Sequence, residues 1–178
     1  MELTPWLYCY DFKYSYFLND YISQIIEGYN NKEKSNTNDF LLDIKPVKDF
    51  LLPKISKIAN DNFYLGDSLE ESEIWTYVQP PSNNLDEIYN YHNHAHNAGN
   101  MCGVFYLNLP KQGGGFQVEN SPWLDPTIIK PEVDKLYLFP FWLSHRPLPH
   151  DEDIFRISFN WTFKGNIRAT NKFNGMLW

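Results

Sequence analysis

HNHAHNAGNMCGVFYLNLP, residues 92–110, is the stretch on which the reading of this chain turns. His92, His94 and His96 alternate just ahead of an apolar, β-prone run. On a strand, side chains two apart point the same way, so any H-x-H aims two imidazoles at one point. His145, in the distant segment FPFWLSHRPLP, can close a three-ligand face on a metal. Three protein ligands with open positions suit a catalytic metal. A structural zinc site would be closed and richer in cysteine, and neither Cys9 nor Cys102 has the spacing for one. Isolated histidines are more often surface or core residues; the shared strand face is what lifts these above that.

Imidazole ligands suit Fe, Zn, Cu or Ni. The common oxygenase face has two histidines and one carboxylate, whereas the matching slot here holds a histidine. A three-histidine face is less anionic and should hold Fe(II) more weakly. An acid from elsewhere, Glu119 or Asp125, is the alternative third ligand. A second constellation follows eleven residues after His145: Arg156-Ile157-Ser158. On a strand Arg156 and Ser158 share a face, where the guanidinium fork can grip a carboxylate and the hydroxyl can add a hydrogen bond. An inward arginine is costly without an anion, so this pair reads as an anchor for an acidic co-substrate, against the plainer reading of a surface ion pair. In GVFYLN, Phe105 and Leu107 should face one way and Val104, Tyr106 and Asn108 the other. The Tyr106 hydroxyl then either reaches the same carboxylate or is a satisfied core group.

The 178 residues suffice for one domain with a sizeable core. Aromatic residues reach 17%, which suits a β-rich core and pocket. A formal charge of −7 argues against binding duplex nucleic acid, which needs Lys and Arg to displace counterions. Two distant cysteines form no disulfide framework and point to a reducing, cytoplasmic setting. No signal peptide and no membrane span are expected.

Residues 1–70 read as helical support. Phe17, Tyr21, Ile22, Ile25, Ile26 and Tyr29 form one stripe; Val47, Leu51, Leu52, Ile55 and Ile58 form another, with Pro53 predicting a kink or a late start. From residue 73 to 163, short strands alternate with Gly, Pro and Asn clusters. Strands are expected at Ile74–Gln79, Ile88–His96, Met101–Leu109, Gly115–Glu119, Lys135–Phe139 and Ile154–Phe163, with KQGGG (residues 111–115) as a turn. That spacing predicts a mainly β sandwich, jelly roll or barrel with N-terminal helices packed on one sheet. Trp161 is expected in the core, while Trp123 and Trp142 either wall the pocket or fill the core. Residues 164–178 form a tail with no assigned place.

These pieces, in this order, resemble the 2-oxoglutarate- and Fe(II)-dependent oxygenases, nearest a prolyl-hydroxylase-like branch found in bacteria and phages. The resemblance spans residues 74–163: the Ile74–Val78 strand, the H-x-H ahead of Gly103-Val104-Phe105-Tyr106-Leu107, the Gly-rich turn with Phe116, Leu138-Phe139-Pro140, His145, and Arg156–Asn160. It implies a double-stranded β-helix, the cupin-like jelly roll. It implies metal ligands His94, His96 and His145, because His96 stands seven residues before Gly103 as in the family; His92 with His94 is the other register. It assigns the 2-oxoglutarate carboxylate to Arg156, with Ser158 as helper and Tyr106 where some relatives use a tyrosine. The implied cofactors are Fe(II), 2-oxoglutarate as co-substrate, and O2. The implied reaction couples decarboxylation of 2-oxoglutarate to succinate and CO2 with hydroxylation of an unidentified small molecule or protein side chain. The implied location is the cytoplasm, that of the host if a phage encodes the chain. His96 departs from the family, which mostly has Asp or Glu there. Two other readings remain open: a cupin-like three-histidine metalloprotein without 2-oxoglutarate, and a non-catalytic jelly-roll binding module. Oligomeric state is not legible.

Overall fold

The computed structural model describes residues 2–4, 7–31, 45–63, 70–82, 101–119 and 125–164. These residues form nine strands and two helices. β1 (Glu2–Thr4), β2 (Leu7–Asp11), β3 (Glu70–Gln79), β4 (Met101–Asn108), β7 (Lys135–Pro140) and β9 (Arg156–Lys164) make a six-stranded sheet in the order β1-β2-β7-β4-β9-β3. β5 (Phe116–Glu119), β6 (Thr127–Ile129) and β8 (Ser144–Pro147) make a three-stranded sheet in the order β6-β5-β8. Every pairing among the described residues is antiparallel.

The large sheet is buried on both faces, and strict alternation decides which residue goes where. Phe105 and Leu107 of β4, Leu136 and Leu138 of β7, and Ile157, Phe159 and Trp161 of β9 pack under α1 (Ser15–Asn31) and α2 (Lys45–Phe63). Val104 and Tyr106, Tyr137 and Phe139 turn the other way, against Phe116 and Val118 of β5 and Ile129 of β6. The layers are therefore helices, large sheet, small sheet. A one-residue slip of β4 or β9 would exchange the two faces, so the burial pattern pins the register.

The helical stripe expected in α1 is the face it buries, with Ile25 and Tyr29 buried and Phe17, Tyr21, Ile22 and Ile26 partly so; Leu18 joins them. α2 buries Leu51, Ile55 and Ala59. It runs from Lys45 through Pro53, so of the two expected alternatives, a kink or a late start, the late start does not occur. Proline removes one intrahelical donor; nearby, Lys54 Nζ donates to the Phe50 carbonyl at 2.8 Å, and its ammonium lies 3.7 Å from the Phe50 ring centre. Asp134, at φ 63°, fixes the start of α1 from 119 residues away. Its carbonyl accepts from Phe12 N and its carboxylate from Ser15 N, which satisfies an orphan amide at the positive end of the helix dipole.

The expected strands match β3, β4, β5, β7 and β9 to within a few residues. β1, β2, β6 and β8 were not expected. β1 and β2 show that the N-terminal segment supplies sheet as well as helix. The expected strand at 88–96 and the tail at 165–178 lie outside the described residues. No described helix is long and apolar enough to cross a membrane.

Candidate functional site

The inner face of β9 is set by what its outer face buries. With Ile157, Phe159 and Trp161 under the helices, Arg156, Ser158 and Asn160 must point between the sheets. Register then assembles a patch across three strands. Tyr106 of β4, Ser158 of β9 and Tyr77 of β3 form one row, and Arg156 pairs with Gln79 of β3 in the next.

Arg156 is 3% exposed, and among the described residues it has no carboxylate partner. Its Nη1 donates to Gln79 Oε1 at 3.1 Å and its Nη2 to the Tyr106 hydroxyl at 3.0 Å. Nε is buried with no partner. The guanidinium carbon lies 5.0 Å from the Tyr106 ring centre and 5.9 Å from that of Tyr77. Ring faces and neutral oxygens hold the cation without cancelling its charge. Burial pushes the Tyr106 phenol up and Arg156 pulls it down, with burial the larger effect, so the group stays neutral. Its oxygen accepts from Arg156, and its own hydrogen is a donor for a bound anion.

The Gly-rich turn lies against this arginine. Gly113 and Gly114 have φ of 68° and 58°. A Cβ at Gly114 would stand 2.4 Å from Pro110 Cγ and 3.5 Å from Arg156 Cδ. The turn is stitched to the segment after β8, with Leu148 N donating to Gly115 O and Gly114 N to Pro149 O. Glu152 accepts from Gln112 N in the same seam.

His145 comes from the facing sheet. It pairs with Val118, whose side chain is inside, and its ring lies 4.9 Å from Phe139 and 5.4 Å from Phe116. Nδ1 is 2.8 Å from the Leu143 carbonyl. A carbonyl only accepts, so Nδ1 carries the proton and the ring's lone pair sits on Nε2, the tautomer a metal ligand needs. His145 and Arg156 thus both face the space between the sheets.

The other expected site residues divide as follows. Ser158 is buried on the same face of β9 as Arg156, with Oγ 3.3 Å from Asn160 Nδ2. His92, His94, His96 and Trp123 lie outside the described residues. Glu119 alternates with Val118 and pairs with Ser144, which directs it away from the face His145 occupies; Asp125 is exposed. Glu119 therefore does not share the face of β5 and β8 on which His145 stands. Among the described residues no cluster of three His, Cys, Asp or Glu could hold a metal. Trp161 is in the core as expected, and Trp142 is 43% exposed. Cys9 and Cys102 are buried and form no disulfide; burial raises both, Cys102 to about 12, so they stay protonated.

The buried polar residues also include Gln79 and His150, alongside Thr76, Gln117 and Thr162, none of which the sequence pattern singles out. Gln79 ends the apolar run Ile74–Val78, and a lone amide makes no pattern. His150, the fifth histidine, is 1% exposed, and among the described residues neither ring nitrogen has a hydrogen-bond partner.

The donor set fits the implied groups. The unpartnered Nε of a buried, un-neutralised arginine fits a carboxylate. The Nδ1-protonated His145 fits a metal bound through Nε2. No family model matches the chain, and no curated protein matches it by sequence. Solved structures do. A Pseudomonas putida prolyl-4-hydroxylase is 16% identical with a TM-score of 0.62, over 92% of this chain and 88% of that one. The viral collagen prolyl hydroxylase of Paramecium bursaria Chlorella virus-1 is 20% identical with a TM-score of 0.65, over 89% of this chain and 90% of that one. That viral protein has also been solved as a 2OG complex. A Trichoplax adhaerens prolyl hydroxylase, solved with a hypoxia inducible factor peptide fragment, is 17% identical with a TM-score of 0.62, over 90% of this chain and 84% of that one. At such identities the likeness is one of fold: this chain has the fold of the prolyl hydroxylases.

Proposed function

We propose that the chain is a cytoplasmic Fe(II)- and 2-oxoglutarate-dependent oxygenase, a single-domain double-stranded β-helix that hydroxylates a small molecule or a protein side chain. The observation that carries this reading is Arg156: buried, lacking any carboxylate partner among the described residues, and with Nε unmatched. Leaving a charge so placed costs several kcal/mol in principle, roughly 1–3 even for a neutral orphan, and an incoming carboxylate would recover it.

Arg156 would grip the distal carboxylate of 2-oxoglutarate, and the Tyr106 hydroxyl would donate to the same group, with Ser158 on the neighbouring row. His94, His96 and His145 would hold the iron, and the Leu143 carbonyl would keep the His145 ring in its binding tautomer. Iron and 2-oxoglutarate together would supply the oxidising chemistry that spends O2 and yields succinate, CO2 and a hydroxylated product. The chain's own part is to orient the keto acid, hold its far end, and wall off water with Phe116, Phe139 and Tyr137. The prolyl hydroxylase neighbours make a peptide side chain a natural first substrate to try.

An anaerobic absorbance titration tests the reading. Purified protein given Fe(II) and then 2-oxoglutarate should develop the visible charge-transfer band of a keto acid chelated to the metal, and Arg156→Ala should raise the 2-oxoglutarate concentration needed by about 100-fold. Absence of the band at saturating Fe(II) and 2-oxoglutarate would sink it. A band whose 2-oxoglutarate dependence ignores Arg156 would favour a three-histidine metal centre that does not use this anchor.

A further inference from the structure

Gln79 is 1% exposed at the end of β3 and stands directly opposite Arg156. Its two amide atoms have different partners. Oε1 accepts from Arg156 Nη1 at 3.1 Å, and Nε2 donates to the Leu148 carbonyl at 3.1 Å. A guanidinium only donates and a carbonyl only accepts, so neither a flipped amide nor a carboxylate can satisfy both. A carboxylate would meet the Leu148 oxygen as a repulsion and would neutralise Arg156 from within. An apolar side chain would leave Nη1 and Leu148 O both without this partner.

The Leu148 end is itself anchored. Leu148 N donates to Gly115 O at 2.9 Å, and the Gly114 next to it lies against the Arg156 stem. Ser82, three residues beyond Gln79, donates through its backbone to His150 O at 2.9 Å. The guanidinium is thus fixed from three sides: Gln79 at Nη1, Tyr106 at Nη2, and the glycine turn along the stem. Nε is the nitrogen left unmatched.

We propose that Gln79 is a positioning and specificity residue for the co-substrate: its amide aims the Arg156 fork while leaving the full positive charge for an external carboxylate. The inference rests on Arg156 being the carboxylate anchor, and it adds that an amide, not an acid, is required at position 79. Three consequences separate this from a purely structural role. Gln79→Glu places the ligand's own functional group inside the protein, so it acts as a built-in competitor. Gln79→Met keeps the volume and loses only the two hydrogen bonds. Discrimination for the distal carboxylate should fall in both, most in Gln79→Glu.

The experiment measures binding of two probes to the full-length Fe(II)-loaded protein under anaerobic conditions: 2-oxoglutarate, and 2-oxopentanoate, which lacks the distal carboxylate. The wild type should prefer 2-oxoglutarate. Gln79→Met should weaken 2-oxoglutarate about 10-fold, and Gln79→Glu about 100-fold or more, with 2-oxopentanoate changed by no more than about 2-fold in either. The Arg156 Nε–H resonance, sharp in the wild type, should broaden in Gln79→Met as the guanidinium gains freedom. If Gln79→Glu folds with a wild-type melting temperature and binds 2-oxoglutarate within 2-fold of wild type while Arg156→Ala does not bind, the role of Gln79 is overturned and the oxygenase reading stands. If the wild type shows no preference between the probes, both fall together. Should Gln79→Glu not fold, Gln79→Met and the Nε–H resonance decide by the same criteria.

Discussion

Arg156 is held by neutral oxygens and ring faces, and on the proposed reading that choice of partners suits it to anchor a carboxylate. Two acceptors orient it, Gln79 Oε1 and the Tyr106 hydroxyl. Neither consumes its charge. Tyr106→Phe tests the point with one atom removed. The ring still packs 5.9 Å from Tyr137, while Nη2 and the bound carboxylate each lose a hydrogen bond. A hydrogen bond to a charged group is worth about 1.5–3 kcal/mol, so 2-oxoglutarate affinity should drop about 10- to 100-fold. Calorimetric titration checks it, and an unchanged affinity would remove Tyr106 from the site. That Arg156 and Ser158 share a face is legible in the sequence, because alternation along one strand dictates it; that Tyr106 of β4 joins them takes the register between strands. Gln79 was not legible, because cross-strand register is invisible in one sequence. His150 had no partner pattern to betray its burial. The acids Glu119 and Asp125 were chosen by residue type alone, and alternation turns Glu119 away from His145.

At the scale of elements, Arg156 stands beside a seam between two loops. The Gly113–Gly115 turn and the Leu148–Glu152 segment exchange backbone hydrogen bonds, and Glu152 accepts from the turn's entry. Gly114→Ala meets both a left-handed φ of 58° and the Pro110 ring 2.4 Å away. Strain and forced movement together should cost about 1–3 kcal/mol, lowering Tm by several degrees and loosening the wall beside Arg156. Thermal melts with and without 2-oxoglutarate would show the stabilisation by ligand shrinking as well. Glu152 gives the seam a pH dependence. Hydrogen bonds from the backbone of Lys111, and secondarily of Gln112, hold its carboxyl below its ordinary 4.5. A depressed acid contributes stability above its unfolded pKa and loses it as pH falls through the folded one. The Tm gap between wild type and Glu152→Gln should therefore be constant above pH 4.5 and close below it; a gap that persists in acid would contradict the assignment. Strands with strong alternation and helices with a clear stripe were readable beforehand. β1, β2, β6 and β8 were not: β1, β6 and β8 are three or four residues long, and β8 ends on Pro147, so they hold their shape through neighbours instead of local propensity.

At the scale of the whole molecule, one sheet separates two tasks. Its helix-covered face carries Phe105, Leu136, Phe159 and Trp161 and supplies stability, while its other face carries Tyr106, Arg156 and Ser158. The same strands serve both, since residue i faces the helices and residue i+1 the site. Leu51 of α2 is fully buried in the first layer. Leu51→Ala removes buried methyl groups far from the anchor and should cost about 2–5 kcal/mol, lowering Tm on the order of 10 °C. Because distant sites with no shared partner are additive, 2-oxoglutarate affinity measured well below that Tm should stay within about 2-fold of wild type. Tyr106→Phe should differ in kind, costing affinity as well as the roughly 1–3 kcal/mol of stability that the orphaned Nη2 donor implies. If Leu51→Ala instead weakened 2-oxoglutarate in step with its loss of Tm, the sheet would be transmitting strain from one face to the other, as close-packed interiors can. The positions of β4 and β9 would then have to be counted as part of the site, and the helical layer as its support.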